Sequence, residues 1–491
     1  VRGDLEEGDF RMESPTSSNL AINLVIPYAA SCDTSLWTGD ITAAFLQGSP
    51  LSRRLVIRAP RGGLPAAGDQ PAIPEGALFE VLITVYGTRD APRGFFLALR
   101  KDILELGLHE MTGEQAAYAL VDPDGVLLGV LVTHVDDCMW TGRPEMQEKM
   151  EMLMKRFTFG SVEKDNFRFC GRTIETTKDY IKVSTPESLA KVKPITVGDG
   201  PAERAATEDE IQQLRAVVGS LAWVCRTCRP DLSYMVNRLQ SRQAKATKED
   251  LVTTNKLLKY AVKTREYGIH FMKHGMSFDK LIGLSVTDAS FAAEGGHRSQ
   301  AGRFLLLADR VPTPDVPAKI YILEWNSHGL KRVCRSTLQA ETLSMLAGVE
   351  GLESLRATLC SLTDPRPAGV GQQSWYARSQ AMLKGFWLTD CRSLLDFLQN
   401  PVTTAVIDKR LAIDLTGLRQ QLWRRQGEES GDPASSDLPT LEEGTDTALW
   451  CQTSDMIADG LTKKMNTEEI VHLMTSGQWR VSGVMMGRHW T

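Results

Sequence analysis

The stretch Gly125-Val-Leu-Leu-Gly-Val-Leu-Val-Thr133-His134-Val135-Asp136-Asp137-Cys138-Met139-Trp140 decides how this chain is read. Two apolar runs, Gly125–Thr133 and Cys138–Trp140, flank a pair of adjacent anions. That pattern predicts a β-hairpin with Asp136 and Asp137 at its turn. Burying branched aliphatics beside two carboxylates is costly unless a cation or water neutralises them. An Asp-Asp pair also serves ordinary turn and capping duty, so the rest of the chain has to separate the two readings.

Upstream, a helix is predicted over Asn19–Ala30, followed by a short strand near Leu36–Trp37 that ends at Asp40. Residues 61–76 are rich in Gly and Pro and read as a surface loop. Strand-like residues follow at Leu78–Val85, then a helix-compatible stretch from Arg93 to Leu106. Asp40, Asp136 and Asp137 lie nearly a hundred residues apart, so they can act together only by converging on one sheet edge. Mg²⁺ takes oxygen ligands and keeps waters, which suits two or three carboxylates plus substrate phosphates.

Downstream, helices dominate from about Glu208 to Arg265, and a new sheet pattern opens at Leu281. Its strands are predicted at Leu281–Thr287, Gly302–Ala308 and Lys319–Trp325. A helix over about Leu338–Leu359 carries Met345, Val349, Leu352, Leu355 and Leu359 at helical spacing, one buried stripe. A further strand ends at Leu388, a short helix lies near Ile457, and loops are read at 361–380 and 426–446. Here a second set of carboxylates appears: Asp288 and Asp390 closing strands, Glu341 one turn before Met345, and Asp459 on the short helix. Singly, each has a plain structural use in turns or at a helix N-terminus, and Asp455 competes with Asp459 on the same face.

Length and composition set outer limits. A chain of 491 residues, 42% hydrophobic and 24% charged, predicts about three globular domains. No run of 18 or more apolar residues occurs, so no membrane span is expected, and no secretory signal opens the chain. Nine cysteines in a long chain do not suggest a disulfide framework; Cys225 and Cys228 read as helix-packing thiols. Net charge is −5, yet residues 215–275 hold twelve Lys/Arg against four acidic residues. Such a segment is either a solvated helix face or a stripe that tracks a phosphate backbone.

The surrounding motifs carry a family resemblance. Asp40-Ile-Thr-Ala-Ala-Phe45-Leu46, Val85-Tyr86-Gly-Thr-Arg-Asp90-Ala91-Pro92-Arg93 and His134-Val-Asp136-Asp137 resemble, in order and spacing, three motifs of copia-type LTR retrotransposon reverse transcriptases. Leu214-Arg-Ala-Val-Val-Gly219-Ser220-Leu and Thr227-Cys-Arg229-Pro230-Asp231-Leu-Ser-Tyr234 resemble the helical segment after the palm in that family. Val286-Thr-Asp288, Arg335-Ser336-Thr337-Leu-Gln-Ala340-Glu341, Leu388-Thr-Asp390 and Asp455-Met-Ile457-Ala458-Asp459-Gly-Leu461-Thr462-Lys463 resemble the ribonuclease H domain that follows it. The resemblance spans roughly residues 14–465.

This resemblance implies an α+β and α/β multidomain chain. Partial fingers and palm would occupy residues 1–185, a helical thumb or connection 186–278, a ribonuclease H-like domain 279–465, and a tail 466–491. It implies the polymerase metal ligands Asp40, Asp136 and Asp137, and the nuclease metal ligands Asp288, Glu341, Asp390 and Asp459. The metal would be Mg²⁺, with Mn²⁺ as a substitute. Phe45 would lie beside the sugar of the incoming deoxynucleoside triphosphate and exclude a 2′-hydroxyl. Arg238, Arg242, Lys245, Lys248, Lys256, Lys259 and Lys263 would follow the backbone of the RNA template, DNA primer and RNA–DNA hybrid. The expected location is a cytoplasmic particle, with a nuclear phase for the DNA product.

Several departures accompany it. The family usually has Tyr where this chain has His134, and Gln where it has Asp90. A carboxylate at a nucleotide-binding position repels a triphosphate that an amide would bind. The chain starts inside the expected fingers, and no histidine lies between His328 and His472, where some ribonucleases H place one before the last carboxylate. Two further readings remain open: a catalytically degenerate retroelement remnant that only binds nucleic acid, and an unrelated metal-dependent nuclease on an N-terminal scaffold.

Overall fold

A computed structural model describes residues 12–485 apart from 69–70, 274, 295–296, 364–378, 381, 400–405, 407, 426–440 and 444–445. Most of the two loops read at 361–380 and 426–446 therefore lies outside the described residues. The chain divides into two compact units: Val1–Val25, Thr34–Lys164 and Ser361–Arg366 form the first, and Ile26–Asp33, Asp165–Cys360 and Pro367–Thr491 the second.

Helix α1 spans Asn19–Cys32. The first unit is then built on β1 (Leu36–Ile41), β2 (Pro50–Arg58), β3 (Leu78–Ile83), α2 (Ala91–Glu105), β4 (His109–Met111), β5 (Glu114–Val121), β6 (Leu127–His134), β7 (Asp137–Gly142), α3 (Pro144–Arg156) and β8 (Phe159–Lys164). Six strands form one sheet in the order β4-β5-β6-β7-β1-β8. The apolar β6 lies within it, buried along almost its whole length, which is why the sequence shows no alternation there. Phe95, Leu99 and Ile103 of α2 and Met146, Met150 and Leu153 of α3 join Leu131 and Trp140 in one core. Strands β2 and β3 form a separate hairpin.

In the second unit, β9 (Asn166–Phe169), β10 (Arg172–Thr176) and β11 (Tyr180–Ser184) precede α4 (Glu208–Cys228), α5 (Ser233–Arg242), α6 (Lys248–Lys263) and β12 (Gly268–Met272). The four strands form an antiparallel sheet, β12-β11-β10-β9. The expected boundary at 185 falls inside this unit, since residues 180–184 pair with 268–272 across the intervening helices. Leu214, Val218, Leu221, Val236, Leu239, Leu251 and Leu258 make the helical core. Cys225 and Cys228 are buried and contact Ser233 and Thr185, as packing thiols.

The remaining strands are β13 (Ile282–Glu294), β14 (Arg298–Ala308), β15 (Ala318–Gly329), β16 (Gly385–Thr389), β17 (Trp423–Arg425), β18 (Leu441–Glu443), β19 (Asp446–Cys451), β20 (Gln478–Trp479) and β21 (Val484–Met485). Seven of them form a sheet ordered β20-β15-β14-β13-β16-β19-β21. Strands β13, β14 and β15 run antiparallel in succession, whereas β13–β16 and β16–β19 pair in parallel. Residues 478–479 and 484–485, expected in a tail, pair at the two edges of this sheet.

Helix α7 (Thr337–Thr363) lies close to β13: a Cβ at Gly348 would come within 2.4 Å of Ser285 Oγ. Its stripe follows the sequence reading through Leu355, but Leu359 is only half-buried. Arg356 is fully buried instead, its Nη1 donating to Asp446 at 3.1 Å and its Nε to the Leu383 carbonyl at 2.9 Å. Among the described residues, no helix is long and apolar enough to cross a membrane.

Two candidate carboxylate centres

In the first unit, the antiparallel ladder between β1 and β7 sets Asp40 directly opposite Asp137. The β6–β7 turn consists of Val135 and Asp136, with His134 paired to Asp137. Val135 has φ +59°, a conformation that a β-branched residue adopts only under strain. The Ile41 amide donates to the Asp136 carbonyl at 3.0 Å, tying the turn to the end of β1. Carboxylate oxygens of Asp40, Asp136 and Asp137 come within 4.8 Å of one another, and all three residues are partly exposed. Burial, then the neighbouring charges of Asp136 and Asp40, push the Asp137 carboxyl above its usual range.

Nothing in the sequence singled out Gly160 of β8, which faces this cluster. A Cβ there would meet Thr42 Oγ1 at 2.4 Å and Asp40 Oδ2 at 3.4 Å. Glycine thus lets β8 lie against Thr42, two residues beyond Asp40. The two residues of the expected nucleotide site, Phe45 and Asp90, each have defined partners. Phe45 packs against Tyr86, ring centroids 4.9 Å apart, and its carbonyl accepts from Thr84 Oγ1 at 2.5 Å. Asp90 stands just before α2 and accepts two bonds from Arg53, Nε to Oδ2 and Nη2 to Oδ1, each 3.1 Å.

In the second unit, Asp288, Asp390 and Asp459 offer carboxylate oxygens within 4.8 Å of one another. Asp288 lies on β13 opposite Gly302. A Cβ at Gly302 would strike Leu461 Cβ at 2.7 Å and Thr462 Cγ2 at 2.8 Å, so this glycine lets the segment carrying Asp459 lie against the sheet. Thr462 Oγ1 donates to Asp288 Oδ2, and Lys463 pairs with Asp459 at 2.8 Å. Asp455 is diverted away, accepting from the Ser482 amide and hydroxyl at 2.7 and 2.9 Å. That separates it from Asp459, which periodicity alone could not do.

Glu341 is buried beside this trio without belonging to it, and its Oε2 has no hydrogen-bond partner. Burial first, then the charges of Asp288 and Asp390, raise its carboxyl well above the ordinary range. Burial and the Asp459 charge push Asp288 up to about 6, and burial raises Asp390 as well. An unpartnered buried oxygen beside three crowded carboxylates is electrostatically unfavourable. A hard divalent cation is the ligand such a donor set fits. The first cluster also fits, as three oxygen donors that make no Lys or Arg ion pair among the described residues.

The seven basic residues divide. Lys245, Lys256, Lys259 and Lys263 are exposed, the last three on α6. Arg242 is held by Asp250 at 2.7 Å, Lys248 donates to the Gly200 carbonyl at 2.8 Å, and Arg238 is half-buried on α5. Arg242 and Lys248 are thus engaged in local structure.

No family model matches the chain. Over 364 residues, 71% of its length, it is 24% identical to the retrovirus-related Pol polyprotein from transposon RE1 of Arabidopsis thaliana. Over 366 residues it is 25% identical to the corresponding polyprotein from transposon RE2 of the same plant. Two solved structures of prototype foamy virus protease–reverse transcriptase, a CSH mutant and the native protein, are each 12% identical to it. They cover 84% and 97% of this chain, and 44% and 70% of their own, at TM-scores of 0.20 and 0.21, too low to define a shared overall fold. The polyprotein matches agree with the resemblance read from the motifs. The chain is a relative of the retrovirus-related Pol polyproteins of transposons and spans 23% of the length of each of the two it matches.

Proposed function

We propose that the chain is an RNA-directed DNA polymerase with ribonuclease H activity, of the copia type. The observation that supports this most is the gathering of two separate carboxylate trios, each within 4.8 Å, from motifs far apart in sequence. On this reading the six-stranded sheet of the first unit is the palm, and the β2–β3 hairpin is part of the fingers. The helices α4–α6 form the thumb or connection, and residues 279–465 form the nuclease domain. The substrates are an RNA template, a DNA primer, deoxynucleoside triphosphates and the RNA–DNA hybrid. The working location is a cytoplasmic particle with a nuclear phase.

Asp40, Asp136 and Asp137 would hold Mg²⁺ in the polymerase, and Asp288, Asp390, Asp459 and Glu341 in the nuclease. Bound there, the ions would activate the attacking oxygen and stabilise the leaving one. The chain's own residues orient and restrict. Phe45, whose carbonyl accepts from Thr84, would by its bulk exclude a 2′-hydroxyl on this reading. Thr462 and Lys463 orient Asp288 and Asp459 by hydrogen bond and charge. Lys256, Lys259 and Lys263 offer a row of exposed cations to phosphates, which positions a duplex without reading its sequence.

Primer extension on an RNA template and cleavage of a labelled hybrid, each with Mg²⁺, test the reading. Extension by the wild type that disappears in Asp136→Asn/Asp137→Asn, together with hybrid cleavage that survives, supports it. Loss of neither activity in that variant returns the first unit to a scaffold. Absence of both activities in the wild type favours the degenerate remnant, to which His134 and Asp90 point. Replacing Lys256, Lys259 and Lys263 by Ala is expected to flatten the salt dependence of hybrid binding by a slope of roughly 2–3. An unchanged slope rejects that surface.

A further inference from the structure

We infer that Arg53 is a positioning residue for the nucleotide end of the first centre, acting through Asp90 as a charge-matched pair; this rests on the polymerase reading above. The sequence alone makes Asp90 a liability, since an unpaired carboxylate there repels a triphosphate. In the fold it is not unpaired. Asp90 occupies the N-cap position of α2, yet its side chain caps no backbone amide. It turns instead to Arg53 on β2, thirty-seven residues earlier, in a two-pronged arrangement with both bonds at 3.1 Å. Such fork-to-fork pairs fix orientation as well as cancelling charge.

The pair belongs to the surroundings of Phe45. Thr84 holds the Phe45 carbonyl, and a Cβ at Gly94, in the first turn of α2, would come within 2.8 Å of Thr84 Cγ2. The start of α2, the end of β3 and Phe45 therefore lean on one threonine. Tyr86, between β3 and α2, stacks obliquely on Phe45. Arg53 and Asp90 are about one-fifth exposed, at 20% and 21%, so the pair is reached by solvent without being dissolved in it. In that setting the Arg53 charge offsets that of Asp90 at the start of α2. It also ties the β2–β3 hairpin to the helix start. The ligand class is a nucleoside triphosphate.

The test is equilibrium binding of dTTP to the whole chain carrying a chain-terminated primer–template, with Ca²⁺ to prevent turnover. Arg53→Gln, which leaves Asp90 uncompensated, is expected to weaken dTTP binding on the order of ten-fold. Adding Asp90→Gln to that variant is expected to recover affinity to within about three-fold of wild type, a non-additivity characteristic of a coupled pair. In turnover, Arg53→Gln should raise KM for dTTP and leave kcat nearly unchanged. Additive effects, or an unchanged affinity in Arg53→Gln, overturn the inference while sparing the polymerase reading. A wild type that binds primer–template but no dTTP overturns both. If Arg53→Gln does not fold, the exchange Arg53→Asp with Asp90→Arg preserves the pair; folded protein without dTTP affinity then overturns the inference.

Discussion

Two clusters of the same three oxygen donors sit in opposite environments. Asp40, Asp136 and Asp137 lie partly exposed around a hairpin tip, whereas Asp288 and Asp459 are buried and Glu341 is buried with one oxygen unpartnered. Water can screen the first set; the second depends on Thr462, Lys463 and whatever cation enters. Burial strengthens every charge interaction in both directions. The second centre should therefore respond far more strongly to metal and pH, and the first to local backbone geometry.

The largest effect that could break this contrast is catalytic. Asp137→Asn should reduce primer extension by at least about two orders of magnitude, the scale on which metal stabilisation of a transition state acts. Hybrid cleavage should be spared, and Asp288→Asn should do the reverse. Reciprocal losses in one variant would mean that the centres are not separable. Next comes the framework of the second unit. Arg356→Met leaves Asp446 buried beside Trp387 without its cation and should cost about 3–5 kcal/mol in chemical denaturation, as removal of one partner of a buried pair does.

A smaller effect sharpens the electrostatic side. In metal-free protein, Asp288 ionises near 6 when folded and near 4 when unfolded, by the ordinary value for aspartate. A raised acid destabilises the fold once the unfolded chain has lost its proton. Stability should thus be fullest below about pH 4 and decline as pH rises to about 6, by on the order of 2–3 kcal/mol from this residue. Thermal unfolding in chelator should show the decline, Mg²⁺ should suppress it, and Asp288→Asn should make it shallower, since the raised carboxyls of Glu341 and Asp390 act in the same direction. A flat profile would contradict the contrast. Smallest is the strain in the first centre. Val135→Gly should raise stability by about 0.5–1 kcal/mol, because relief of a positive φ exceeds the entropy cost of glycine. Hybrid cleavage should not change.

Much of the first centre was legible because its signals are local. An apolar run, a carboxylate pair and a strand ending at Asp40 need only neighbouring residues to be read, and the structure forms that hairpin. The convergence of Asp40 on it rested on motif order. Helix α3 was readable yet unread: Pro144 at its start and Met146, Met150 and Leu153 at helical spacing are ordinary signals. The pairs Arg53–Asp90 and Arg356–Asp446 were not legible. Each joins residues remote in the chain, and a lone charge carries no mark of its partner. Gly160 and Gly302 were equally silent, since what they permit is decided by the segment placed opposite. Leu359 departs from the stripe because beyond Leu355 the buried face moves by one residue, to Arg356 and Cys360.

Gly302 and the segment it admits also set a timetable. The first trio is complete once β7 has been synthesised, near residue 142, and its members meet through the β1–β7 ladder and the β6–β7 turn. The second awaits Asp459, which must close a span of 171 residues back to Asp288 before its last carboxylate arrives. Contacts that distant are entropically late and slow to form. During translation the two centres would therefore mature in sequence: the chain would assemble its first carboxylate trio well before its second, and a ribosome stalled before residue 459 would hold the first without the second.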